Sequence, residues 1–195
     1  MLSERLRRWS QRFITPMAVT IGKLGLSPNM LTILGFLLNM AVASVLASGT
    51  LRAGGVLVIL ASLFDTLDGA VARATNRVSV FGAFFDSVLD RYSEAALYFG
   101  LLVWYIRLGF TEGIFLVYAT LIGSFLVSYT RARAEGVGIE CREGWFTRFE
   151  RLTVLILGLL TLQLRLALWV LAICSNLTAV QRIWHVWQAT RQTQQ

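Results

Sequence analysis

The sequence has too few charged residues to cover the surface of a soluble domain. Asp, Glu, Lys and Arg make up only 15% of its 195 residues, whereas hydrophobic residues make up 56%. Soluble globular domains usually carry about 25% charged residues. This shortage excludes an ordinary water-soluble fold and predicts a chain that lies mostly within a lipid bilayer.

Cysteine and histidine are also scarce, with two cysteines and one histidine in the whole chain. Cys141 in a predicted loop and Cys174 in a predicted helix do not make a disulfide framework, and we assign neither a catalytic role. His185 lies between two tryptophans, which is typical of an aromatic belt at a membrane interface. The start of the chain also lacks the short apolar core that is typical of a cleaved signal peptide.

Long apolar segments, by contrast, are abundant. A helix needs about 20 mainly apolar residues to cross a hydrocarbon core about 30 Å thick. Six such segments are bounded by charges or turn residues, and the fifth is the shortest. They are residues 30–47, 53–74, 80–106, 113–133, 149–162 and 166–186. The sequence therefore predicts an all-α integral membrane protein with six transmembrane helices.

The distribution of Lys and Arg predicts the orientation of the chain. With the N-terminus inside, the three outer loops carry only Arg52, Arg107 and Arg165, so fifteen of the eighteen basic residues lie on or near the inner side. Because short basic loops stay in the cytoplasm, we predict a cell-membrane protein with both termini on the cytoplasmic side. The net charge of +7 indicates this orientation and anionic partners, not nucleic acid.

The first 24 residues predict a helix that lies on the membrane surface. Apolar residues recur there at helical spacing with arginines between them, as in amphipathic interfacial helices. They are Leu2, Leu6, Trp9, Phe13, Met17 and Ile21. Residues 25–190 are then the six-helix membrane domain, and residues 191–195 are a polar tail.

Four of the eleven acidic residues fall close together within the second and third predicted helices. They are Asp65, Asp68, Asp86 and Asp90. Each carboxylate near the centre of a membrane helix costs about 2.5–3.5 kcal/mol, and repulsion between carboxylates adds to this cost. Protonation, arginine partners or bound cations must compensate, so the cluster predicts a functional site.

The spacing of these aspartates favours bound cations. On each helix the aspartates and the residues grouped with them below recur about every three or four positions, which places them on one helix face. If the turn near Asn76 makes the helices antiparallel, four carboxylates face each other and offer the oxygen ligands that Mg²⁺ or Mn²⁺ prefers. The small residues leave room for a ligand, although they could instead serve helix packing alone. The two faces comprise Asp65, Asp68, Gly69, Ala72 and Arg73 on one helix and Gly82, Asp86 and Asp90 on the other.

The same residues resemble the signature of the CDP-alcohol phosphotransferase family. The stretch 65–73, the eight residues to Gly82, and the two aspartates that follow fit that signature at every fixed position. The resemblance implies a six-helix membrane enzyme, usually a homodimer, with an inner-face active site and two divalent ions, Mg²⁺ or Mn²⁺. The metal ligands that it implies are Asp65, Asp68, Asp86 and Asp90. It also implies that Asp90 is the general base.

The resemblance further implies transfer of a phosphatidyl group from a CDP-linked lipid such as CDP-diacylglycerol to a small alcohol, with release of CMP. A neutral hydroxyl is a poor nucleophile, so a carboxylate such as Asp90 is needed to take its proton. Arg73 offers a planar guanidinium for a donor phosphate. Asn29 and Thr32, in a segment like that opening the first helix in this family, either contact the nucleotide or cap the helix. The residues predicted for the CDP-lipid site are Asn29, Thr32, Asp68, Gly69, Ala72, Arg73 and Gly82.

An arginine-rich inner loop after the fourth predicted helix indicates that the acceptor carries a phosphate. Arginine binds phosphate through two parallel hydrogen bonds, whereas an uncharged acceptor such as inositol needs no such cluster. Segments 128–135 and 148–152 resemble the branch that makes phosphatidylinositol phosphate from inositol 1-phosphate. The predicted phosphate ligands are Arg131, Arg148 and Arg151, with Arg133 and Arg142 secondary. Glycerol 3-phosphate is an alternative acceptor, and the arginines could instead serve orientation alone.

Two other classes of protein fit the sequence less well. A divalent cation transporter would use the aspartates as an ion path, but all four lie toward one membrane face and only Glu112 continues the path outward. A structural scaffold gives no reason to bury four carboxylates. We therefore favour the enzyme.

Overall fold

The computed structural model describes residue 20, residues 27–141 and residues 143–193, and this part of the chain contains six α-helices. They are α1 Pro28–Ala47, α2 Leu51–Ala74, α3 Val80–Leu108, α4 Thr111–Gly136, α5 Arg148–Leu160 and α6 Leu164–Thr193. Each of the six predicted segments falls on one helix, so the all-α prediction is confirmed. The predicted helix over residues 1–24, Arg142 and the last two residues of the predicted tail lie outside the described residues.

Four of the six helices are long and apolar enough to cross a membrane, which indicates a multi-pass membrane protein. They are Pro28–Ala47, Leu51–Ala74, Thr111–Gly136 and, within α6, Leu164–Arg191. α3 is 29 residues long but carries five charged residues, four of them between Asp86 and Glu94. α5 has only 13 residues, so it is about 20 Å long, against a hydrocarbon core of about 30 Å.

Serine side chains fix the starts of α1 and α3. Ser27 Oγ accepts a hydrogen bond from the N–H of Met30 at 3.3 Å, and Pro28 occupies the first helical position, where a missing N–H has no cost. Ser79 acts in the same way for α3, because its Oγ accepts from the N–H of Gly82 at 3.0 Å. Both helices therefore begin where the sequence supplies a cap.

The turn between α2 and α3 is fixed by hydrogen bonds of its backbone. Asn76 has a φ of +53°, a left-handed conformation that asparagine adopts more readily than most residues. The N–H of Arg77 donates to the carbonyl of Ala72 at 2.9 Å, and the N–H of Asn76 donates to the carbonyl of Arg73 at 3.4 Å. These are the two bonds of a Schellman motif, and they hold residue 77 against the last turn of α2.

One compact unit comprises, among the described residues, 27–42 and 57–97. Its apolar core is small, with Leu31 and Val71 buried and Phe64 packed against them. α1 and α2 approach closely at Gly35, where an added Cβ would lie 2.6 Å from Oδ1 of Asp65. A larger residue at this position would collide with the carboxylate, so glycine decides where Asp65 lies.

A second compact unit comprises residues 43–56 and 98–193, apart from residue 142. Within it α1 and α3 touch through their backbones. An added Cβ at Gly100 would lie 2.3 Å from the carbonyl oxygen of Ala43. Small residues allow membrane helices to approach this closely, and here only glycine fits.

In the same unit α6 packs against both α4 and α5. Gly123 of α4 faces Asn176 of α6, whose Nδ2 would lie 2.7 Å from an added Cβ. At the start of α4, Glu112 accepts hydrogen bonds from Arg165 at 3.0 Å and from the indole N–H of Trp169 at 2.9 Å. Polar contacts therefore join α4 and α6 along their length, as is common between membrane helices.

We expect Gly100→Ala to lower the thermal stability of the protein. The added methyl group meets backbone atoms of Ala43, which cannot rotate away as a flexible side chain can. Overpacking of this kind costs about 1–3 kcal/mol, so the midpoint of thermal unfolding in detergent should fall by several degrees.

Gly136→Ala is the matched control for this prediction. No atom of the described residues lies within 4 Å of an added Cβ there, and alanine is a better helix former than glycine. Its midpoint should equal or exceed that of the wild type. Equal midpoints for the two variants would contradict the close contact at Gly100.

Candidate active site

A cavity of about 280 Å³ lies between the start of α1, the end of α2 and the start of α3. Its wall contains every residue predicted for the CDP-lipid site, which are Asn29, Thr32, Asp68, Gly69, Ala72, Arg73 and Gly82. Asp86, a predicted metal ligand, also lines it. Two further polar residues that were not predicted, Arg77 and Ser79, are part of the same wall.

Three helix ends determine the charge of the ligand that the cavity favours. α1 and α3 begin at it, and the N–H groups of a helix start favour anions. α2 ends at it, with Arg73 in its last turn, where a cation offsets the negative end of the helix dipole. The cavity is therefore suited to an anionic ligand.

Asp68 is buried, with 8% of its surface exposed, and it accepts a hydrogen bond at each carboxylate oxygen. The hydroxyl of Thr32 lies 2.8 Å from Oδ2, and the N–H of Gly69 lies 2.5 Å from Oδ1. Hydrogen bonds to a charged acceptor are the strong ones, and they offset the cost of burying a carboxylate. Thr32 on α1 thus fixes the position of Asp68 on α2.

This contact separates the two interpretations of Asn29 and Thr32. The cap of α1 is Ser27, so neither residue is needed for capping. Asn29 lines the cavity, and its Oδ1 lies 3.3 Å from the position of an added Cβ at Gly82. Asn29 can therefore contact a ligand, whereas the hydroxyl of Thr32 already donates a hydrogen bond to Asp68.

The structure places the other predicted aspartates differently. Asp86 shares the cavity with Asp68, but Asp65 and Asp90 are not among the residues that line it. Asp65 lies against Gly35, and Oδ2 of Asp90 lies 3.9 Å from Nη1 of Arg91. In the part of the chain that the structure describes, no three His, Cys, Asp or Glu side chains are grouped closely enough to hold a metal ion. Of the four aspartates predicted to face each other, Asp68 and Asp86 line the same cavity.

That pair fits a divalent cation that completes its coordination with a substrate. Mg²⁺ usually binds one or two carboxylates together with water and substrate phosphates. Oxygen ligands select Mg²⁺ or Mn²⁺ over softer metals such as copper. Asp68 and Asp86, one from each helix, meet this description in residue type, in number and in their shared cavity.

The arginines predicted to bind the acceptor phosphate lie in the second unit and differ in exposure. Arg131 and Arg133, near the end of α4, are exposed, and Nε of Arg131 donates to Glu135 at 2.8 Å. Arg148 at the start of α5 is half-buried. Arg151, one turn later, is 1% exposed. A buried arginine is costly unless polar groups or an anion meet its charge.

Arg182 of α6 was not predicted, yet it lies within the electric field of this group. It is 4% exposed. Its Nε donates to the carbonyl of Glu143 at 2.8 Å, and its Nη1 donates to the carbonyl of Val127. The charges of Arg131 and Arg151 act on it. In the sequence it is indistinguishable from an arginine that sets orientation, and only its contacts reveal that it holds the loop before α5.

Known proteins are similar to this chain in sequence and in fold. The family model for CDP-alcohol phosphatidyltransferase matches residues 25–184. An archaetidylinositol phosphate synthase of Pyrococcus horikoshii is 37% identical over 166 residues, which cover 85% of this chain and 86% of that protein.

Two crystal structures of a phosphatidylinositol phosphate synthase of Mycobacterium tuberculosis are similar to this one. The structure with CDP-DAG bound has a TM-score of 0.86 and 35% identity, and the match covers 90% of this chain and 94% of that chain. The structure in complex with manganese and citrate has a TM-score of 0.84 and 35% identity, covering 89% and 88%. Because the family model and these relatives match most of its length, the chain belongs to the CDP-alcohol phosphatidyltransferase family.

Proposed function

We propose that this chain transfers the phosphatidyl group of CDP-diacylglycerol to inositol 1-phosphate, releasing CMP and forming phosphatidylinositol phosphate. The observation that carries the proposal is the cavity, where the carboxylates of Asp68 and Asp86 and the guanidinium of Arg73 line one space. A diphosphate is bound by carboxylate-held cations and by direct phosphate ligands. The family supports this reaction class, and the relative crystallised with CDP-DAG supports the donor.

The proposed reaction breaks the phosphoanhydride bond of the donor and forms a phosphate ester bond to the acceptor. A hydroxyl oxygen of the acceptor attacks the lipid-side phosphorus, the bond from that phosphorus to the bridging oxygen breaks, and CMP leaves with that oxygen. The hydroxyl proton passes to Asp90, which we assign as the general base from the family signature. The carboxylates proposed to hold two divalent ions are Asp65, Asp68, Asp86 and Asp90. Bound Mg²⁺ or Mn²⁺, the metal found in one relative, would stabilise negative charge on the diphosphate oxygens.

The small residues of the cavity give the donor its space. Nη1 of Arg73 lies 3.3 Å from the position of an added Cβ at Gly69, so this arginine folds back over bare backbone. At Gly82 an added Cβ would lie 2.9 Å from Oγ of Ser79. Larger residues would fill the wall, and we propose that Gly69, Ala72 and Gly82 leave this surface to the nucleotide.

The acceptor phosphate is proposed to bind the arginines of the second unit. Those of the described residues are Arg131, Arg133, Arg148 and Arg151, and Arg142 is proposed from the sequence alone. The names of the relatives, a phosphatidylinositol phosphate synthase and an archaetidylinositol phosphate synthase, favour inositol 1-phosphate over glycerol 3-phosphate. The pairing of Arg131 with Glu135 is exposed and weak, so a phosphate can replace it.

We also propose a membrane arrangement in which α3 and α5 complete six spans within one domain over residues 25–190. Asp86 near the start of α3 lines the cavity, while residues 95–106 are wholly uncharged. Residues 1–24 are proposed as an interfacial helix. The inward bias of Lys and Arg supports a cytoplasmic active site, and the family resemblance supports a homodimer.

The proposed function predicts acceptor-dependent release of CMP. Purified protein with CDP-diacylglycerol and Mg²⁺ or Mn²⁺ should release CMP when inositol 1-phosphate is added, and less with glycerol 3-phosphate, inositol or serine. The same assay with a CDP-linked archaeol lipid tests whether the donor carries diacylglycerol or archaeol. Preference for inositol or serine would contradict the arginine argument, preference for glycerol 3-phosphate would contradict the acceptor alone, and no release with any of them would contradict the proposed reaction.

Asp90→Asn should lower transfer by about 10²- to 10⁴-fold, because a positioned general base contributes this much to the rate. Binding of CDP-diacylglycerol in the presence of Mg²⁺ should fall far less than transfer, since Asp65, Asp68 and Asp86 remain as proposed metal ligands and Asp90 is not among the residues that line the cavity. Glu94→Gln, one helical turn farther along α3, is the matched control and should remain active. Near-normal turnover of Asp90→Asn would remove Asp90 from the base role.

Arg148→Ala should raise KM for inositol 1-phosphate by about tenfold or more, since a hydrogen bond to a charged group is worth about 1.5–3 kcal/mol. KM for CDP-diacylglycerol should stay near the wild-type value. The control is Arg52→Ala, which removes an exposed arginine outside the cluster. Equal increases in both KM values would indicate that Arg148 serves orientation or folding.

A further inference from the structure

Arg77 lines the cavity together with the predicted donor residues, although no fixed position of the family signature includes it. The signature ends one block at Arg73 and resumes at Gly82, and the residues between them are free to vary. A charged side chain beside a membrane domain is costly unless it is solvated or bound. Arg77 is exposed, so its charge is solvated and can meet a ligand of the cavity.

The Schellman turn places Arg77 at the cavity. Its N–H donates to the carbonyl of Ala72 at 2.9 Å, and Ala72 itself lines the cavity. The left-handed conformation of Asn76 turns the chain back at this point. Residue 77 therefore has a fixed backbone position beside the wall, which reduces the entropy lost when its side chain binds a ligand.

Arg73 and Arg77 both line the cavity. Among the described residues, neither has an ion-pair partner. Three arginines elsewhere do have one, in the pairs Arg91–Asp90, Arg131–Glu135 and Arg165–Glu112. Two guanidiniums in one cavity repel each other, so an anion with several charges is stabilised between them.

We propose that Arg77 is a second phosphate-binding arginine of the donor site, which binds the diphosphate of the CDP-linked lipid together with Arg73. This inference rests on the proposed function, because it takes the donor as the ligand of the cavity. A diphosphate has two phosphate groups, and each guanidinium offers a fork of donors to one of them. The start of α3 at Ser79, two residues beyond Arg77, adds N–H groups that also favour phosphate.

Binding of CDP, a soluble molecule with the same diphosphate, tests this proposal without turnover. Equilibrium dialysis of CDP with detergent-purified protein and Mg²⁺ should give a Kd about tenfold higher for Arg77→Gln than for the wild type, the loss expected for one charge-assisted phosphate contact. Arg77→Lys keeps the charge without the fork and should lie between them. Arg52→Gln, which changes an exposed arginine at the start of α2, should bind as the wild type does.

Kinetics separates this proposal from the proposed function. Arg77→Gln should raise KM for CDP-diacylglycerol by a similar factor, with KM for the acceptor unchanged. If the wild type turns over and the variant has the same KM and the same Kd for CDP, the role of Arg77 is wrong and the function stands. If CDP binding depends on Arg77 but no acceptor yields CMP, the proposed reaction fails alone. Failure of the wild type to bind CDP would overturn both.

Discussion

The burial of Asp68 within an apolar helix is the constraint on which the rest of the candidate site depends. A buried carboxylate is tolerated only where hydrogen bonds meet its charge, and here Thr32 and the backbone of Gly69 do so. Thr32 reaches Asp68 because Ser27 and Pro28 set the start of α1 one turn earlier. The capping of one helix thereby controls the position of a proposed metal ligand on the next.

The second unit contains a buried cation whose hydrogen bonds go to backbone carbonyls. Arg182 is satisfied by backbone carbonyls of Val127 and Glu143, so it keeps its charge without a carboxylate partner in those contacts. An arginine bound in this way leaves a positive field for its neighbours Arg131 and Arg151. This field suits the acceptor phosphate that we propose to bind these arginines.

Sequence reasoning predicted all six helices because apolar length dominates the structure of membrane proteins. It also predicted most of the cavity wall, since a spacing of three or four residues decides which side chains share a helix face. It missed Arg77, which depends on a left-handed turn, and Arg182, which depends on contacts between helices. The meeting of all four carboxylates stays a prediction, because Asp68 and Asp86 line the cavity whereas helical spacing gives no depth or rotation for Asp65 and Asp90.

The short α5 has a consequence for the lipids around the protein. In the proposed six-span arrangement, a helix of 13 residues is about 10 Å shorter than the hydrocarbon core, and a bilayer accommodates such hydrophobic mismatch by thinning near the short helix. Its polar first turn, where the N–H of Thr147 donates to Glu150 at 2.8 Å, would draw water inward on that side. A thinned leaflet shortens the distance over which a lipid diphosphate and a water-soluble alcohol must approach each other.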